Sequence, residues 1–223
     1  GAKLLVPAVG DPSGTVDAML DASIAADCRT SLASGQSQLF TYTTPAGEWS
    51  VFIESFPPPP RLIIVGAVHT AIPLHRLAKQ LGYHVVVVDA RRALATPERF
   101  PEADVLRAEW PDDALRALGL DSSTAVVVLT HDPKFDEPAL LVALASPAGY
   151  IGAIGSRTTN EERHASLEAA GVSAVDLDRI HAPIGLDIGA RTPAEIALAI
   201  LAEIVATRAG RPGGSLRDRS RVS

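Results

Sequence analysis

From Arg61 onward the hydrophobic period of this chain switches back and forth, and that switching restricts the fold more than any other feature. Short aliphatic and β-branched runs, RLIIVG at 61–66, HVVVVD at 84–89 and TAVVVLT at 124–130, alternate with longer stretches whose apolar residues return every three or four positions. A run that is apolar on both faces suits a parallel strand covered by helices above and below. Strands are expected at 61–66, 84–89, 103–107, 124–130 and 149–154, with a short edge strand near 179–182. Helices fit 70–82, 111–119, 136–146, 158–170 and 193–207. The expected class is α/β: a doubly wound, mainly parallel, Rossmann-like sheet of order 3-2-1-4-5. Thr192-Pro193-Ala194-Glu195 announces the last helix as a capping box with proline at the first helical position, and Thr159 with Glu162 reads the same way for the helix before it.

Upstream lies a different pattern. Residues 1–54 read as a small α+β domain: a strand at Lys3–Val9, an Asp/Pro/Ser/Gly turn, a helix over Thr15–Ala33 ended by Gly35, and strands Gln38–Thr43 and Trp49–Glu54 joined by a turn at Pro45–Gly47. The stretch 55–60, SFPPPP, is the expected linker, because consecutive prolines continue neither helix nor ladder. The Rossmann-like domain is expected over 61–209 and a disordered tail over 210–223.

Bulk properties exclude several classes. Hydrophobic residues make up 47% of the 223, yet no apolar run approaches a membrane span of roughly 18 residues. The opening GAKLLVPAVGDPSG does not read as a secretory signal. A single cysteine, Cys28, leaves no internal disulfide and no paired-cysteine zinc site, so a cytoplasmic location is the default. A net charge of −6 disfavours non-specific nucleic-acid binding. There is no phosphate-loop lysine motif and no G-x-S-x-G nucleophile elbow.

In a doubly wound sheet, ligands bind beyond the carboxyl ends of the strands, so the residues there are the candidates. They are Gly66 and His69 after the first strand, Asp89 and Arg91 after the second, His131 and Asp132 after the fourth, Gly152, Gly155, Ser156 and Arg157 around the end of the fifth, and Gly185 and Gly189 before the last helix. The first turn reads GAVHTA, with Val68 where a dinucleotide fingerprint carries its middle glycine. Asp89 follows Gly66 by 23 residues, near the roughly 20 of a ribose-binding acid. It either faces a ligand, or caps the next turn, or pairs with Arg91 or Arg92. Gly155-Ser156-Arg157 ahead of a helix is either an anion receptor or a turn, a cap and a surface arginine. His69 and His131 serve as an acid/base pair or ligands across the switch point, or else shape the crevice.

These motifs, with RFPEADVL, EWPDDAL, LGLDSSTAVVVLTHDPKFDEPAL, SPAGYIGAIGSRTTNEERHASLEAAG and IHAPIGLDIGARTPAEIALAILAEI, resemble the xanthine dehydrogenase accessory (XdhC/CoxI) family. The likeness is to its C-terminal Rossmann-like domain, from Arg61 to Arg208. It implies an accessory factor, a chaperone more than an enzyme, that binds molybdenum cofactor (molybdopterin). Such a factor helps sulfurate the cofactor or insert it into a client molybdoenzyme of xanthine dehydrogenase or carbon monoxide dehydrogenase type. A sulfurtransferase is a further implied partner; the oligomeric state is open, a homodimer being the commonest outcome for such chains. All twelve candidate residues stand at positions of the family's motifs. Three departures stand out. The family's GAGHVA is GAVHTA here, and the N-terminal GGC and CGG motifs are replaced by VDAMLDAS and PAGEWSVFIE, so no cysteine-dependent handling of molybdenum or sulfur is implied. Two competing readings use the same cleft: an oxidoreductase dependent on NAD(P) or another nucleotide with His131 as acid/base, against which Val68 counts, and a non-catalytic scaffold that docks to a molybdoenzyme.

Overall fold

The computed structural model describes residues 1–45 and 47–218, and the chain separates into two compact units, Gly1–Pro58 and Pro59–Ser223.

The first unit holds β1 (Lys3–Leu5) paired antiparallel with β2 (Ser13–Thr15), helix α1 (Asp21–Ser34), and the hairpin of β3 (Gln38–Thr44) and β4 (Gly47–Ile53). Two expectations change here. The Asp/Pro/Ser/Gly segment is partly strand β2, and the helix begins at Asp21, not Thr15. The Asp21 carboxylate explains the later start: it accepts from the Thr15 hydroxyl and from the N–H groups of Val16 and Asp17, which holds that stretch out of the helix. Gly35 ends α1 in the left-handed conformation, as a C-terminal glycine does. In the turn expected at Pro45–Gly47, Ala46 lies outside the described residues. Residues 54–60 carry no regular structure.

The second unit is built on a six-stranded parallel sheet. In chain order come β5 (Arg61–Val65), α2 (Ala71–Gln80), β6 (His84–Val88), β7 (Val105–Arg107), α3 (Pro111–Leu118), β8 (Thr124–Val128), α4 (Pro133–Leu144), β9 (Tyr150–Ala153), α5 (Arg157–Ala169), α6 (Ala174–Leu177), β10 (Ile180–His181) and α7 (Pro193–Arg208). Across the sheet the strands lie β10-β9-β8-β5-β6-β7, the Rossmann order in which the winding reverses between β5 and β8.

Alternation along each strand feeds two cores. Leu62, Ile64, Val85, Val87, Ala125 and Val127 pack with α2 and α7. Their neighbours Ile63, Val65, Val86, Val88, Val126 and Val128 pack with α3, α4 and α5. Each of the larger buried side chains contributes about 1.5–3 kcal/mol, so the strands need no polar face and the β-branched runs follow. Helix α4 begins at Pro133, three residues before the expected 136, because Asp132 caps it and Pro133 takes the first position. Pro138 is thereby inside the helix. Helix α5 is capped by the Ser156 hydroxyl, with Thr159 in its first turn; the Thr159–Glu162 cap is therefore replaced by one three residues earlier. The Thr192–Glu195 capping box of α7 is present with both of its hydrogen bonds. Beyond α7, Leu216–Asp218 form a 3-10 turn, and 219–223 of the expected tail lie outside the described residues. Among the described residues no helix is long and apolar enough to cross a membrane.

Candidate functional site

Every strand of the sheet runs parallel, so the loops that leave β5, β6, β7, β8, β9 and β10 share one edge. Backbone hydrogen bonds carry the ladder past the strand ends: Gly66 N–H to Val88 C=O, Leu129 N–H to Val65 C=O, Ile154 N–H to Val128 C=O and Ile184 N–H to Ala153 C=O. The loops thus leave from adjoining points, and eleven of the twelve candidate residues lie past the strand ends, whereas Gly152 is inside β9.

Gly66 is required by contact as well as by backbone angle. Its φ is +104°, and a Cβ there would stand 2.6 Å from Thr130 Cγ2 and 3.0 Å from the Thr130 nitrogen. The β5 and β8 turns meet at this point. Val68 is half-buried and packs on the core beside α2 and α7. The residues that follow use their own donors. Ala71 N–H donates to Val68 C=O, Ile72 N–H donates to His69 C=O, and Pro73 has no N–H. The first turn of α2 therefore has few donors left for an anion.

Asp89 is 2% exposed, and its carboxylate is fully engaged within the protein. Oδ2 accepts from Ala67 N–H at 2.8 Å and from Arg91 Nη2 at 2.8 Å. Oδ1 accepts from Arg91 N–H and Nε, both at 2.9 Å. Burial opposes ionisation of this group, but the Arg91 and Ala67 hydrogen bonds outweigh it and hold the carboxyl below the usual carboxylate range. Asp89 thus ties the first turn to Arg91. Arg91 keeps 45% of its side chain exposed, and its guanidinium lies 5.9 Å from the Phe135 ring centre.

His69 and His131 are both exposed, each in its loop. Asp132 caps α4 through Lys134 N–H at 3.2 Å and faces Lys134 Nζ at 3.1 Å. Arg157 is exposed at the first position of α5. Among the described residues, the N–H groups of Arg157 and Thr158 have no protein acceptor, whereas Thr159 N–H is taken by Ser156 Oγ. Ser156 is a cap, so the donors open to an anion here are two N–H groups and the Arg157 guanidinium. Gly155, at φ +145°, lets the turn close on Thr159 and Asn160.

Two of the remaining glycines, Gly152 and Gly185, serve packing. A Cβ on Gly152 would stand 2.5 Å from Ile184 Cδ1, and one on Gly185 would stand 3.2 Å from the Ala199 and Ile200 backbone of α7. Glu203 on α7 holds that loop: it accepts from Gly185 N–H at 2.8 Å and from the Tyr150 hydroxyl, and faces His181 Nδ1 at 3.4 Å. Gly189 is exposed, with no heavy atom within 4 Å of an added Cβ.

Beneath the loops runs a buried network that sequence reasoning missed. Thr130 Oγ1 donates to Asp136, and the Arg163 guanidinium pairs with Asp136 at 3.1 Å. Arg163 also bonds Asn160 and the Ile154 carbonyl, and Asn160 Nδ2 donates to Gly155 C=O. Burial pushes the Asp136 carboxyl above its ordinary range, against the Thr130 and Arg163 interactions that favour the ion. This chain of contacts joins the β8 turn to the β9 turn. Its signal was legible: Asp136 precedes Ala139 and Leu140 on the buried stripe of α4, and Arg163 precedes Leu167 on that of α5. A charge on an apolar stripe requires a partner.

A groove of about 430 Å³ lined by Leu115, Leu120, Leu141 and Val142 beside α3 and α4 lies away from this edge, and the first unit has a groove of its own of about 580 Å³, lined in part by Ile24, Cys28 and Ile53. Among the described residues no group of three or more His, Cys, Asp or Glu side chains is placed to hold a metal ion.

The family described as the XdhC Rossmann domain matches residues 62–204. "Uncharacterized protein YqeB" of Escherichia coli is 34% identical over 79% of this chain and 32% of its own length. A probable xanthine dehydrogenase subunit of Bacillus subtilis is 33% identical over 71% of this chain and 46% of its own. The E. coli "Molybdenum cofactor insertion chaperone PaoD" is 36% identical over 40% of this chain and 28% of its own. The chain thus spans less than half the length of each of these relatives. A crystal structure of a Bacillus halodurans protein described as a xanthine dehydrogenase shares the fold, with a TM-score of 0.63 at 22% identity over 92% of this chain and 75% of that one.

Proposed function

This chain belongs to the XdhC family through its Rossmann domain, and from that premise we propose that it is an accessory protein of molybdoenzyme maturation that binds molybdenum cofactor at the carboxyl edge of its sheet. The observation that carries this reading is the start of α5, where two uncommitted N–H groups, the helix dipole and Arg157 present only positive charge. The organic part of the cofactor has a phosphate that fits these donors and a planar polar pterin that fits His69 and His131 on the same edge. When bound, the cofactor supplies the molybdenum chemistry of a client enzyme. This chain's residues hold and orient it. The names of two relatives, a cofactor insertion chaperone and a xanthine dehydrogenase component, support a client of the xanthine dehydrogenase type. Cys28 is a poor sulfur carrier, because burial raises its thiol pKa.

Equilibrium dialysis of the purified chain against freshly released cofactor, read by the fluorescence of its oxidised pterin, tests the reading. The expected result is saturable uptake that weakens about tenfold in Arg157→Ala, the loss of one charge-assisted contact. No uptake above that of an unrelated protein would overturn it.

A further inference from the structure

Four side chains from three loops form a second surface at the same edge. Trp110 immediately precedes α3, past β7, and is 50% exposed. Its ring centre lies 5.2 Å from that of Phe135, on α4 past β8. Lys134 Nζ stands 4.7 Å from the Phe135 ring centre, and Arg91, past β6, lies over the same ring. Two carboxylates touch this set, Asp89 through Arg91 and Asp132 through Lys134. A half-exposed indole packed at a tilt on a buried ring, with two cations on that same ring, is a platform for a flat ring that carries negative charge.

The hydrogen-bond inventory selects the chemistry further. Four donors already occupy the Asp89 carboxylate, which has about four acceptor sites. It has no capacity left for a ribose diol, the usual partner of an acid at this position. Arg91 is the reverse case: two of the guanidinium N–H donors go to Asp89, out of about five that an arginine has. The corner at Arg91 therefore offers donors and an aromatic face, with its acid already closed.

We infer that Arg91, Lys134 and Trp110 form a subsite for a phosphorylated planar heterocycle, of the nucleoside monophosphate class, with the ring on Trp110 and the phosphate on Arg91 and Lys134. The inference rests on the cofactor-binding reading, since it assigns a part of that ligand edge. The site selects against an unphosphorylated nucleoside.

Trp49 and Trp110 are the two tryptophans, so Trp49→Phe leaves Trp110 as the sole indole reporter. Adenosine monophosphate, adenosine and inorganic phosphate are titrated against its emission. Saturable quenching by the monophosphate is expected, with adenosine about tenfold or more weaker and phosphate alone without effect on emission. Arg91→Gln should bring the monophosphate and adenosine responses to the same level, and Arg91→Lys should restore part of the difference. Lys134→Gln, which leaves Asp89 paired, should lower the same ratio in the same direction. Absence of saturable quenching, equal response to adenosine and its monophosphate, or a ratio unmoved in both Arg91→Gln and Lys134→Gln overturns the subsite. Cofactor dialysis on the same protein separates the two ideas: uptake of cofactor without monophosphate binding sinks the subsite alone, and monophosphate binding without cofactor uptake sinks the cofactor reading alone.

Discussion

At single residues, the edge is organised by groups that bind the protein to itself. Gly66 has a positive φ and no room for a methyl group between the two turns, so Gly66→Ala is expected to destabilise the second unit by about 2–4 kcal/mol, the sum of backbone strain and overpacking. A urea titration measures it. The Asp136–Arg163 pair is buried on both sides, at 2% and 6% exposure. Removing one partner strands a charge: Arg163→Met should cost about 3–5 kcal/mol, and Asp136→Leu with Arg163→Met together much less than the sum. A double-mutant cycle in denaturant decides. Asp89 sets a pH dependence. Its carboxyl titrates lower in the folded chain than the ordinary value of 3.8, so its stabilisation is complete above that value and disappears as pH falls through the folded one. Asp89→Asn should flatten the acid limb of stability below about pH 5, and an unchanged limb would contradict the pairing with Arg91. The sequence left Asp89 open between a ligand and an arginine because spacing places a side chain at the strand end without saying which donors reach it.

Secondary elements were the most legible level, since period and caps are local. The six strands of the sheet and its long helices fall within a few residues of their expected positions, and the α7 capping box is present as read. Thr192→Ala should therefore cost about 1 kcal/mol and lower the Tm of the second unit by about 2–4 °C, with Thr192→Ser close to neutral. Calorimetry reads both. Errors arose where two local signals competed. Thr159 with Glu162 imitates a cap, but Ser156 stands at the chain reversal after Gly155 and takes the Thr159 N–H first. Asp21 likewise draws Val16 and Asp17 onto its side chain and shortens α1.

On the scale of the whole molecule, the two units differ in how much core they hold. Both large clusters of buried apolar residues lie between Leu62 and Ile204. In the first unit, among the described residues, Leu20, Ile24, Ala25 and Ile53 are the buried hydrophobics. A small core stabilises weakly, so the first unit is expected to unfold at lower urea than the second. Each contains one tryptophan, Trp49 or Trp110, and single-tryptophan variants should show separate midpoints; coincident ones would mean the two unfold as one. The amino-acid order alone determined the class of fold, the sequence of strands and helices and the loops that carry polar residues, because hydrophobic period and turn chemistry act over a few neighbouring positions. Only the tertiary structure decided that Asp89 would be closed by Arg91 and Ala67, that the α2 turn would use its own donors, and that Trp110, Phe135, Lys134 and Arg91 would meet. Those outcomes depend on which hydrogen-bonding groups and rings from distant segments come within a few ångströms, and such proximity exists only once the sheet is wound.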